Sequence, residues 1–142
     1  MPAPAVVDSP ETKHALLERC GLSAIFEMAN KLDVALLSVG GISTMTTSYR
    51  TGYITESDRR SLIDAGAVGD VLYNFIDENG VVVAHDVNER VISVNLANLR
   101  RTAERVLISG GREKRIALRA ALKTLSPTTL ITDEQTAKDL AA

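Results

Sequence analysis

RVLISGGREKRIALRAAL, residues Arg105 to Leu122, decides the fold. Arg105 to Ser109 (RVLIS) is an apolar run of strand length, and two glycines follow it. From about Glu113 to Lys123, Ile116, Leu118, Ala121 and Leu122 recur at helical spacing. A strand that feeds a helix through a glycine turn is the repeating unit of α/β proteins.

The same alternation extends in both directions. Ser9 caps a first helix, with Pro10 at its first position and Gly21 as its stop. Ala15, Leu16, Leu17 and Cys20 form its expected buried stripe. A second helix is expected over Leu22 to Lys31, with Ile25, Phe26 and Ala29 inward. Val34 to Val39 (VALLSV) reads as a buried strand running into Gly40-Gly41-Ile42-Ser43-Thr44. The following MTTSYRTGYIT is a loop with one helical turn. Thr55 caps a helix that Gly66 closes.

Asp70 to Asp77 (DVLYNFID) reads as one strand. Asn79-Gly80 is a hairpin turn, and VVVA the returning strand. Val91 to Val94 is a short extended piece, and Asn95 caps a helix over Leu96 to Arg101. Thr128 to Thr132 is the last strand, and Asp133 caps the last helix. The expected fold is α/β: a mostly parallel sheet flanked by helices, with one antiparallel ribbon added.

The composition supports a packed aliphatic core. The 142 residues are 45% hydrophobic and 24% charged, but only 4% aromatic, with no Trp. A formal charge of −2 gives no general basic footprint for nucleic acid. So few aromatics also argue against base stacking. Cys20 is the single cysteine, so neither a disulfide framework nor a cysteine zinc site can form. One free thiol fits a reducing cytoplasm. His14 and His85 are isolated in sequence and read as surface or half-buried side chains rather than metal ligands. No cofactor motif is present, neither the dinucleotide glycine fingerprint nor the Walker phosphate loop of nucleoside triphosphatases. There is no Gly-x-Ser-x-Gly elbow, and neither Ser43 nor Ser109 has a histidine nearby in sequence.

Two turns leave strand carboxyl ends, where open α/β sheets bind ligands: Gly40-Gly41 and Gly110-Gly111. Lys114 follows the second, at a helix start, where the dipole disfavours a cation. A bound anion would make that position worthwhile; a solvated lysine beside a tight turn is the plain alternative. Asp70 lies among small and apolar residues. It reads either as an acceptor for a ligand hydroxyl or as a turn cap.

In sequence order, PAPAVVDSPETKHALL, DVALLSVGGIS, DAGAVGDVLYNFIDENGVVV, RVISVNLANLRR, RVLISGGREKRIALRAAL and TLITDEQTAKDLA cover nearly the whole chain. Together they resemble the C-terminal sugar-binding (effector) domain of SorC/DeoR-type bacterial transcriptional regulators. The resemblance implies a Rossmann-like fold related to glucosamine-phosphate deaminase and ribose-phosphate isomerase. It implies binding of a phosphorylated sugar or similar metabolite, without turnover. An enzyme of the same fold group, or an assembly domain with a dead pocket, is the alternative. It places ligand contacts at Asp70 for hydroxyls and at Lys114 for the anionic end. Gly110 and Gly111 would shape the site, and Gly41 and Ser43 would contribute from the loop after DVALLSV. That loop reads Gly-Gly-Ile-Ser here, where the family commonly has Gly-Ile-Gly-Ser.

The family's domain is longer at its N-terminus, with a strand and a phosphate loop ahead of PAPAVV and a helix-turn-helix further upstream. The expectation for residues 1–142 is therefore one partial effector domain, reaching DNA only through that absent helix-turn-helix. Its pocket would be incomplete, and its uncovered apolar surface should make it a homo-oligomer. No membrane segment is expected.

Overall fold

The computed structural model describes residues 3–142. Met1 and Pro2, where the PAPAVV stretch begins, lie outside the described residues. Helices α1 (Pro10–Arg19) and α2 (Leu22–Ala29) come first, followed by strand β1 (Val34–Leu37). Next are α3 (Thr47–Arg50), α4 (Glu56–Asp64), and strands β2 (Ala67–Val71) and β3 (Asn74–Asp77). Short helices α5 (Asp86–Arg90) and α6 (Leu96–Leu99) lead to β4 (Glu104–Ile108). A 3-10 turn, Arg112–Lys114, precedes α7 (Arg115–Leu125), and β5 (Thr129–Ile131) and α8 (Glu134–Ala141) end the chain.

Side-chain caps start most of the longer helices. Ser9 Oγ accepts from Thr12 N–H at 3.1 Å, ahead of Pro10. Thr55 and Asp58 form a reciprocal capping box: Asp58 N–H donates to Thr55 Oγ1 (3.0 Å) and Thr55 N–H to Asp58 Oδ2 (2.8 Å). Asp133 Oδ1 takes Thr136 N–H at 2.8 Å. The long amphipathic α7 has no side-chain cap and winds in through the 3-10 turn instead.

β1, β4 and β5 form a parallel sheet with β4 in the middle, and β2 and β3 form a separate antiparallel pair. The main core lies on one face of the parallel sheet, where Leu37 and Leu107 meet Leu118, Ala121 and Leu125 of α7. A second cluster, with Leu62, Phe75 and Val87, joins the hairpin to α4 and α5.

The other sheet face is open. Ala35, Leu37 and Val39 are buried, but their alternating neighbours Val34 (50%) and Leu36 (69%) are exposed, as are Ile108 (44%) and Ile131 (52%). VALLSV was expected to be buried throughout, as parallel strands usually are. The described helices α7 and α8 cover only one side, so the strand alternates instead. On α1 no residue is fully buried and Cys20 is exposed; Leu16 and Leu17 are only partly covered by a small cluster around Leu22 and Ile92. Ile25 on α2 is also exposed, and Leu22 is its buried residue.

The hairpin is placed differently from the sequence expectation. DVLYNFID is not one strand: the chain reverses at Leu72-Tyr73. Gly66, at φ +90°, turns the chain just before Ala67, so Asp70 lies inside β2 rather than at a strand start. The Asn79-Gly80 turn does form, with Gly80 N–H on Asp77 O at 3.0 Å. VVVA then makes only the isolated Ile76–Val82 bridge. The side chain of Asn88 explains this: its Oδ1 takes Phe75 N–H (2.9 Å) and its Nδ2 donates to Phe75 O (3.1 Å) and Val83 O (2.8 Å). Those are groups that a longer ladder would need. Among the described residues, the ribbon's backbone bridges to the parallel sheet only where Gly40, just past β1, pairs with Asp70.

Candidate functional site

A cavity of about 380 Å³ opens beyond the carboxyl end of β1. Its floor is the bridge between Gly40 and Asp70, which exchange both backbone hydrogen bonds at 2.9 Å. A side chain at position 40 would displace the Asp70 carboxylate: a Cβ there would lie 2.0 Å from Asp70 Oδ1. Gly69 is held just as closely, since a Cβ would stand 2.4 Å from both Ala117 Cβ and Gly40 O. These two close approaches set Asp70 over the strand end.

Asp70 is only 8% exposed. Its Oδ2 accepts the N–H of Tyr73 at 2.9 Å, while its Oδ1 takes no hydrogen bond among the described residues. Burial pushes its carboxyl up to about 6, against the Tyr73 N–H and the positive charge of Lys114, which both pull it down. Lys114, on the last residue of the 3-10 turn, lines the same cavity beside Glu113. Its ammonium has no ion-pair partner within 4.0 Å among the described residues. A buried carboxylate with a free oxygen and an unpaired ammonium therefore face one space. That arrangement can take a hydroxyl at one end and an anionic group at the other.

The lining is also rich in hydroxyl residues: Ser43, Thr46, Thr47 and Ser48 all line the cavity. Ser43 O accepts from Thr46 Oγ1 at 2.9 Å, and Arg59 Nη1 holds the Ile42 carbonyl at 3.2 Å, so α4 pins the loop.

The whole chain, residues 1–142, matches the family model Sugar-bind, described as "Putative sugar-binding domain". The chain belongs to this sugar-binding domain family. It is 31% identical over 140 residues to the deoxyribonucleoside regulator of Bacillus subtilis (strain 168), covering 99% of this chain and 44% of that protein. It is 31% identical over 145 residues to the transcriptional regulator LsrR of Enterobacter sp. (strain 638), covering 100% and 45%. Among solved structures, a DeoR family transcriptional regulator from Listeria monocytogenes superposes with a TM-score of 0.90 at 27% identity, over 96% of this chain and 56% of that one. The full-length sorbitol operon regulator SorC from Klebsiella pneumoniae gives 0.88 at 25% identity, over 100% and 46%. The chain thus spans about half the length of the relatives it matches.

The sugar-binding domain brings four of the six residues singled out in the sequence to one cavity: Asp70, Lys114, Gly41 and Ser43. Gly110 and Gly111 are not among its lining. They turn toward α8 instead. Gly111 N–H donates to Asp133 Oδ2 at 2.9 Å, and a Cβ at Gly110 would stand 2.3 Å from that oxygen. The Thr136 hydroxyl, the Thr136 N–H and this donor hold the Asp133 carboxyl well down, at about 2. The Gly111 N–H is thus committed to the fold, and the turn's contribution is to deliver Lys114. Within the loop, Gly41 has room for a side chain, its nearest Cβ neighbour being Thr46 Cγ2 at 3.6 Å. The close-contact requirement falls on Gly40.

Sequence reasoning missed the cavity's Leu72-Tyr73 wall and the Thr46–Ser48 segment. Leu72 (φ +51°) and Tyr73 (φ +64°) both sit in the left-handed region that a two-residue hairpin turn demands. Side chains there cost about 1–2 kcal/mol per residue. Asp70 Oδ2 offsets this at Tyr73 N–H, and Asn74 Nδ2 does so at Val71 O (3.1 Å) and Leu72 O (3.3 Å). With no Gly, Asn or Asp at the two central positions, the sequence carries no local signal of that turn.

His85 Nδ1 accepts the Val87 N–H at the start of α5, and no metal-binding cluster of His, Cys, Asp or Glu exists among the described residues. No helix of the described residues is long and apolar enough to cross a membrane.

Proposed function

We propose that this chain is the ligand-sensing part of a sugar-responsive transcriptional regulator, and that the cavity binds a phosphorylated sugar or polyol without turning it over. The observation that carries this reading is the meeting of Asp70, with one free carboxylate oxygen, and the unpaired Lys114 ammonium across a single hydroxyl-lined space. Asp70 accepts a ligand hydroxyl and Lys114 meets the phosphate. In the longer polypeptide, binding would shift the arrangement of subunits, and through it the binding of DNA.

Three relatives are a deoxyribonucleoside regulator, an erythritol catabolism regulatory protein and a sorbitol operon regulator. Phosphomonoesters of deoxyribose, erythritol and sorbitol are therefore the first ligands to try. A thermal-shift titration should show one of them stabilising the chain, with the unphosphorylated compound weaker. Lys114→Ala should abolish most of the advantage of the phosphorylated over the unphosphorylated form. An unchanged advantage in that variant would remove Lys114 from the anion site.

One observation favours a second reading. A carboxyl held near 6 suits proton transfer near neutral pH, so an isomerase or deaminase of the same fold group is the alternative. Incubation with the same phosphomonoesters, followed by product analysis, separates the two.

We also infer self-association through the open sheet face. Val34, Leu36, Ile108 and Ile131 are exposed at alternating positions on three neighbouring strands, and parallel sheets are almost always covered on both faces. The proposed occupant is a second copy of the chain. Light scattering at micromolar concentration should give a mass above that of the monomer, and Leu36→Lys should lower it. A strict monomer for the unaltered chain would refute the inference.

A further inference from the structure

Leu72 is an unexpected residue for its backbone conformation. Its backbone lies at φ +51°, a conformation that suits glycine or asparagine. It is 38% exposed, and it belongs to none of the three apolar clusters of the described residues. Its neighbour Tyr73 is different: that ring packs against the second cluster and meets Tyr53 edge-on, with centroids 5.4 Å apart. Leu72 keeps over a third of its surface exposed and gains no conformational ease. What it does touch is the ligand cavity, which it lines beside Asp70. Strain of this kind concentrates at functional sites, where the surroundings hold it in place. Here the clamps are Asp70 Oδ2 on Tyr73 N–H and Asn74 Nδ2 on Leu72 O.

We propose that Leu72 is a specificity-determining residue of this site: its side chain forms the apolar wall against which the carbon face of the bound sugar-type ligand packs, while Asp70 takes an adjacent hydroxyl. The assignment rests on the reading of the cavity as a sugar-phosphate site. It selects ligands with a C–H face next to the hydroxyl that Asp70 accepts. It disfavours those that present a charged or heavily hydrated group there, because contact with Leu72 strips that group of water without replacing its hydrogen bonds.

The test uses the intact chain and the phosphomonoesters of deoxyribose, erythritol and sorbitol, whichever of them binds the unaltered protein best. Leu72→Gly removes both the side chain and the strain. Its ligand-free melting midpoint should be unchanged or raised by a few degrees, and its affinity should fall roughly ten-fold. Leu72→Asn, which also tolerates this backbone, should behave alike and serves if the glycine variant does not fold. Leu72→Met restores an apolar side chain under the same strain and should bind within about three-fold of the unaltered protein. Unaltered affinity in both the Gly and Asn variants overturns the proposal but leaves the site reading intact. A lower ligand-free midpoint in both variants also overturns it, since the leucine would then be structural. If no phosphomonoester binds the unaltered chain, the site reading fails and this assignment fails with it.

Discussion

Gly69→Ala is expected to cost on the order of 3 kcal/mol or to prevent folding outright. The new Cβ would stand 2.4 Å from Ala117 Cβ and 2.4 Å from Gly40 O. Neither neighbour is the free end of a flexible side chain. One belongs to α7 and the other to the bridge that joins β1 to β2. Relief requires α7 to lift from the hairpin or the Gly40–Asp70 bridge to break. Overpacking of this kind costs about 1–3 kcal/mol in cores that can adjust, and more where backbone must move. Gly41→Ala is the matched control, because its Cβ would meet nothing closer than 3.6 Å and should cost under about 1 kcal/mol. Urea denaturation of the two variants measures the contrast. A Gly69→Ala midpoint equal to that of the unaltered chain would show that the helix and hairpin are not in the contact described.

Asp70→Asn should change two properties at once. The first is ligand binding: a hydrogen bond to a charged acceptor is worth about 1.5–3 kcal/mol, so affinity for the best phosphomonoester should drop about ten- to a hundred-fold. The second is the pH dependence of stability. Folding raises this carboxyl from 3.8 to about 6, so between those values the folded chain binds more protons than the unfolded one. Stability conferred by the protonated acid is therefore present at low pH and is lost as pH rises from about 4 to about 6. The full swing is about 3 kcal/mol by the linkage relation. In the asparagine variant that decline disappears, and the difference between the two curves isolates it. Glu56 and Asp133 act in the opposite sense and lower down. Both are held at about 2, Glu56 by Arg59 and Arg60, so their contribution is lost as pH falls from about 4 toward 2. A difference curve flat between pH 4 and 6 would mean that Asp70 is not buried as described.

Asp70 shows where sequence reasoning reaches its limit. Its placement among small and apolar residues raised the question of a ligand contact or a turn cap. The structure shows one oxygen on the turn, at Tyr73 N–H, and the other with no partner among the described residues. Lys114 was legible in outline, because a strand, two glycines and a helix start fix where the cation emerges. The two glycines themselves were not, because their partner Asp133 lies 22 residues downstream of Gly111. The Leu72-Tyr73 reversal was hidden for a related reason. Its backbone is held by Asp70 and Asn74 rather than by its own residue types.

By itself the sequence determined the α/β class, the parallel strands and their helices, most caps, and a family resemblance carried by motifs in order along the chain. These follow from local rules, periodicity and turn chemistry, which act within a few residues. The tertiary structure alone decided that the hairpin is a separate sheet stitched on at Gly40 and Asp70. It also decided that one face of the parallel sheet is open, and that Asp70, Lys114, Gly41, Ser43 and Leu72 surround one cavity. Burial and proximity depend on which elements pack together, and strand residues like Val34 and Leu37 are apolar alike in sequence. Only packing makes one of them core and leaves the other at the surface.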